Sequence, residues 1–87
     1  MSDEFSDNRL MEVLEALQVI ENDIAVPRNI REGIKNSMQV LKENNIEIAV
    51  KINRSLQELE ELSDNPNIPV YTRTQLWNIV SLLESVQ

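Results

Sequence analysis

Eighty-seven residues with no cysteine and no histidine make one small domain without disulfides, thiolate chemistry, the commonest general base or the commonest catalytic metal ligand. A net charge of −7 and three aromatic residues, Phe5, Tyr71 and Trp77, argue against general nucleic-acid binding, which needs a basic footprint or several stacking rings. The lone glycine, Gly33, leaves no phosphate-cradling loop, and no apolar run reaches the roughly 18 residues of a membrane span.

The opening Met-Ser-Asp-Glu-Phe-Ser-Asp is acidic and has no apolar stretch, so it does not read as a signal peptide, and a cytoplasmic protein is expected. Residues 1–6 are expected to fray. A first helix is predicted over about 7–21, where Leu10, Val13, Leu14, Leu17 and Ile20 form one apolar stripe. A second should begin at Pro27, whose missing N–H suits a first helical position. It carries Ile30, Ile34, Met38 and Leu41 on one face and breaks at Asn44-Asn45.

A third helix is predicted from Asn45, as N-cap, to about Leu62. Its apolar face would be Ile48, Ala49, Ile52, Leu56, Leu59 and Leu62, with Glu47/Lys51 and Arg54/Glu58 as i,i+4 ion pairs. The run 63–67 reads as a turn. The fourth helix starts at Pro69 or at a Thr72 capping box and continues to 86, with Leu76, Ile79, Val80, Leu83 and Val86 facing inward. The fold class is therefore all-α, a compact four-helix domain with one hairpin over about 7–44 and another over about 45–87.

Sliding the chain by 42 positions brings Leu14, Leu17 and Ile20 onto Leu56, Leu59 and Leu62, and Val26-Pro27 onto Ile68-Pro69. It also brings Arg31, Ile34, Asn36 and Leu41 onto Arg73, Leu76, Asn78 and Leu83. That period is the length of a helix-turn-helix repeat. It predicts two similar hairpins; the echo favours stacking them in parallel as in helical-repeat proteins, while periodicity leaves a closed bundle equally open, and such a unit should close on itself or pair with another copy.

Two Pro-x-x-x-Arg elements, Pro27 to Arg31 and Pro69 to Arg73, each follow an acidic or amide turn that includes Asp23 or Asp64. A guanidinium one turn into a helix can tie the preceding turn through carboxylate or carbonyl oxygens. The competing use of Arg31 and Arg73 is to grip a phosphate or a partner's carboxylate. Arg28, Arg31, Lys35 and Lys42 fall within about 60° of one another on the second helix. This basic stripe is expected to meet Glu12, Glu15 or Glu21 of the first helix, or to stay solvated. Its alternative reading is an edge that binds RNA or another anion. Glu58, Glu60 and Glu61 read as a solvated acidic face, so neither metal nor cofactor is expected.

Apolar side chains off the inward stripes, Ile46 with Val50 and Val70 with Trp77 two turns apart, mark either an interface or burial within the monomer against the other hairpin or the N-terminal arm. Val40 and Leu82 also lie off the stripes.

The segment Asp23 with Val26 to Arg31 and the block Asp64 to Pro69, Thr72 to Thr74 and Leu76 to Val80 resemble an uncharacterised family of small archaeal all-helical proteins. That resemblance implies an archaeal cytosolic protein with a compact four-helix fold and brings no catalytic residue or cofactor. The length and the placing of Ile30-Arg31 after Asp23 are also similar to HEAT-type repeats, with Thr72 departing from the aliphatic pattern. The function expected is a non-enzymatic protein–protein interaction module or small scaffold, with self-association as a homodimer or a foreign protein as partner.

Overall fold

The computed structural model describes residues 2–86, with side chains over 9–86. Four helices, α1 (Ser2–Glu21), α2 (Arg28–Lys42), α3 (Ile48–Ser63) and α4 (Val70–Val86), make up the fold, with no strand among the described residues.

Each apolar stripe becomes a core face. Val13, Leu17 and Ile20 of α1, Ile30, Ile34 and Leu41 of α2, Ile52 and Leu59 of α3, and Leu76, Ile79 and Leu83 of α4 are buried in one cluster. Full burial of such side chains stabilises by roughly 1.5–3 kcal/mol each, so the faces hold the helices together far more than helix propensity does. Val26 and Ile68, from the turns before α2 and α4, plug the core from one end.

Those two turns are built alike. Asp23 Oδ1 accepts from the Ala25 N–H at 2.9 Å, and Asn65 Oδ1 accepts from the Asn67 N–H at 2.8 Å. Pro27 O receives the N–H groups of Ile30 and Arg31, as Pro69 O receives those of Thr72 and Arg73. All these partners lie 42 positions apart. The prolines stand just before the helices rather than at their first positions: Pro27 is the N-cap of α2, with ψ 146°.

α1 packs on α2 and α4, and α3 packs on α2 and α4, while neither diagonal pair touches among the described residues. Of the two arrangements left open by periodicity, the helices take the closed bundle, a ring, and not the parallel stack of hairpins. Two hairpins alone would leave end faces bare in a stack, and closing α1 on α4 covers them. Two exposed bonds mark the closure. Arg9 Nη1 donates to Ser85 O at 2.8 Å, and Lys51 Nζ donates to Glu43 O at 2.7 Å. Donors and acceptors again differ by 42 positions, which is the pattern of a twofold relation about the bundle axis.

Several local expectations change. α1 begins at Ser2 instead of near Asp7, so residues 2–6 continue the helix. Met1 lies outside the described residues. α3 starts at Ile48 behind Glu47, without a side-chain cap, so Asn45 does not cap it and Ile46 lies in the connection. Ile48 and Ala49, in the first turn of α3, are exposed and stand outside the core face expected for them. Thr72 sits buried inside α4 and does not cap it. Lys51 turns to Glu43 O in place of Glu47, and Glu58 accepts from Ser37 in place of pairing with Arg54. The ion pair among the described residues is Arg28–Glu32, at 3.5 Å and solvent-exposed.

Candidate functional site

The outward strip of α4 carries Val70, 77% exposed, and Trp77, 58% exposed. They lie two turns apart and nearly in line, and the core is complete without them. Val50 is also exposed near the start of α3, while Ile46 is half-buried in the connection before it. Trp77 and Val70 thus share one strip; Ile46 and Val50 do not share a helix.

The two seams that close the ring differ in chemistry. Between α2 and α3 the contact residues are small. Ser37 Oγ donates to Glu58 Oε1 at 3.1 Å and Ser55 Oγ donates to Ser37 O at 3.4 Å. A Cβ on Gly33 would stand 2.8 Å from Leu62 Cδ2, so glycine is what lets this leucine seat against α2. Shifted by 42, Gly33, Ser37 and Ser55 become Gln75, Ile79 and Val13. These bulkier residues stand in the α1/α4 seam, and there a shallow apolar groove of about 270 Å³ opens, lined by Ala16, Val19, Gln75, Asn78, Ile79 and Leu82. Gln75 Oε1 is buried in this seam with no hydrogen-bond partner.

The groove is bounded by hydrogen bonds at both ends. Arg9 to Ser85 O closes one. At the other, Tyr71 Oη donates to Asp23 Oδ2 at 2.7 Å, joining the start of α4 to the turn after α1. This bond holds the Asp23 carboxyl below its ordinary value, helped by the Ala25 N–H, and raises the Tyr71 phenol above its own.

The arginines of the Pro-x-x-x-Arg elements point at backbone. Arg31 Nε donates to Val26 O at 3.1 Å; Arg73 donates from Nε to Ser63 O at 3.0 Å and from Nη2 to Asn65 O at 2.9 Å. The turn-forming side chain of the second copy is Asn65, the counterpart of Asp23, and the exposed Asp64 does not fill that place. On α2, Arg28, Arg31 and Lys35 share a recess with Glu21 and Glu32, while Lys42 lies at the far end of the helix. Of the α1 acids expected to face this stripe, Glu21 does so. Glu12 and Glu15 are exposed and lie outside that recess; helical spacing puts them on the same strip of α1 as Ala16 and Val19.

This arrangement has relatives. A family model described as an uncharacterised protein family, UPF0147, matches residues 1–86. The chain belongs to the UPF0147 family. A UPF0147 protein of Sulfurisphaera tokodaii is 37% identical over 82 residues, covering 94% of this chain and 92% of the relative. One from Methanosarcina mazei is 35% identical over 86 residues, covering 99% and 92%. The crystal structure of the unknown-function protein MMP1188 matches with a TM-score of 0.89 at 37% identity, over 93% of this chain and 92% of that one. A UPF0147 crystal structure from Thermoplasma acidophilum matches with a TM-score of 0.90 at 32% identity, over 94% and 96%. The family is archaeal and small, and its solved members share the four-helix fold, as the resemblance implied. Among the described residues no helix is long and apolar enough to cross a membrane.

Sequence reasoning missed the α1/α4 groove, along with the exposed Met11, Val19, Ile24 and Ile48. The signal available was the spacing of Gln75, Asn78, Ile79 and Leu82 at i, i+3, i+4 and i+7, a second strip on α4 beside its core face.

Proposed function

We propose that this chain is a non-enzymatic cytosolic protein–protein interaction module. The observation that supports it best is the exposure of Val70 and Trp77 on one outward strip of α4, in a molecule whose core is filled without them. Tryptophan anchors are enriched where partners bind, because a large ring buries much area at little entropic cost. In this reading Arg31 and Arg73 are structural, since their donors go to turn carbonyls and leave the guanidinium group tied to its own turn.

The basic stripe of α2 has less in favour of binding RNA or another anion. Arg28 pairs with Glu32, Arg31 is tied to Val26 O, and Glu21 and Glu32 share the recess with the cations. The test is co-purification of the tagged chain from nuclease-treated archaeal lysate. Val70→Ser combined with Trp77→Ser should keep the helical circular dichroism and lose the captured protein. Equal capture by the double variant, or none by the intact chain, rejects the proposal. A partner that disappears on nuclease treatment, together with salt-sensitive heparin retention, would favour the anion reading instead.

A further inference from the structure

The geometry points to the α1/α4 groove as a docking site for about two turns of a basic amphipathic helix from a foreign protein. This inference rests on the interaction-module reading but uses a different surface from Trp77, which stands about 140° from Leu82 around α4 at 100° per residue.

Two facing strips build the site. Glu12, Glu15, Ala16 and Val19 fall at i, i+3, i+4 and i+7 on α1; Gln75, Asn78, Ile79 and Leu82 have the same spacing on α4. Ala16, Val19, Ile79 and Leu82 make an apolar floor, and Val19 leaves 58% of its surface in water. A helix laying its own i, i+3/i+4, i+7 apolar residues along that floor is the fitting shape. The counterpart strip 42 positions on, Arg54, Gln57, Glu58 and Glu61 of α3, also borders a recess of about 270 Å³, but its lining is polar, so the apolar floor is particular to the α1/α4 side.

Charge selects the occupant. Glu12 and Glu15 are exposed on the α1 rim, and no cation among the described residues pairs with them. Arg9, the nearest cation along α1, is spent on Ser85 O at the groove's end. A partner helix with lysine or arginine flanking its apolar face on the α1 side satisfies this rim. A second copy of the chain does not match. Its exposed basic strip on α2 presents only polar side chains, the Val70–Trp77 strip has Arg73 held by two carbonyls, and on α3 the exposed Val50 shares its strip with Arg54, Gln57 and Glu61 and offers no apolar series.

The probe is a synthetic four-turn leucine–lysine amphipathic peptide, with its leucine–glutamate counterpart as control, titrated into the full chain and followed by amide chemical shifts. Shifts confined to the two strips, weakening as salt is raised, are expected. Glu12→Gln with Glu15→Gln should weaken binding roughly tenfold at low salt, and Val19→Glu should abolish it. Each variant is accepted only with an unchanged melting curve. Shifts elsewhere, equal binding of the acidic peptide, no binding, or concentration-dependent shifts of these strips without peptide would each overturn the inference. Such a failure leaves the Val70/Trp77 co-purification result untouched, so the two claims fall separately.

Discussion

Tyr71 and Asp23 show how a single exposed contact reports on tertiary structure. Neither residue belongs to a core stripe, and only folding brings them within 2.7 Å. The Asp23 carboxyl is lowered in the folded state, first by the Tyr71 hydroxyl and then by the Ala25 N–H. It therefore contributes stability above its unfolded value, which is lost as pH falls through the folded one. Tyr71 is raised, so its contribution is present below the unfolded value and lost as pH climbs through the folded one. Because the chain has one tyrosine, its ultraviolet titration needs no assignment. It should run above the ordinary phenol range and return towards it in Asp23→Asn. In Tyr71→Phe, both the acid and the alkaline limbs of the urea midpoint against pH should flatten.

Thr72 is a second residue-scale case. It is fully buried, and its hydroxyl makes no hydrogen bond within 3.5 Å, with the Tyr71 phenol as its polar neighbour, at the place where the first hairpin has Ile30. A buried unsatisfied hydroxyl costs free energy that an apolar group of the same shape does not. Thr72→Val should raise the stability measured by urea denaturation by up to about 1 kcal/mol; a loss of that size would mean the hydroxyl is satisfied in solution.

At the scale of elements, the four helices were legible because their stripes repeat at helical spacing and prolines punctuate them. The ends were less so. Asn45 and Thr72 are good cap residues by type, yet the helices start at Ile48 and Val70. Local capping preference is worth only about 1 kcal/mol, and packing of the neighbouring turns outweighs it. The two arginines allow a graded prediction. Arg73 makes two bonds to turn carbonyls and Arg31 makes one. Arg73→Met should cost about 2 kcal/mol and Arg31→Met about 1 kcal/mol in chemical denaturation. Equal or absent losses would contradict their assignment as ties between turn and helix.

For the whole molecule, the matched bonds 42 positions apart imply that the hairpins are alike in three dimensions. In a crystal structure of this chain, segments 10–41 and 52–83 should overlay as matching two-helix units related by an axis along the bundle. Arg9→Ala and Lys51→Ala should each lower stability by less than about 1 kcal/mol, because both bonds are solvent-exposed. Hairpins that fail to superimpose would reject the duplicated design.

Helix content, most of the core and the 42-residue echo were written in the sequence, because apolar periodicity and proline placement are properties of neighbouring residues. Ring closure was not, since periodicity says which side of a helix is buried but not which helix covers it. The α1/α4 groove, the Tyr71–Asp23 bond and the separation of Glu12 and Glu15 from the α2 stripe all follow from that closure. They depend on side chains from opposite ends of the chain meeting, which only the tertiary structure decides.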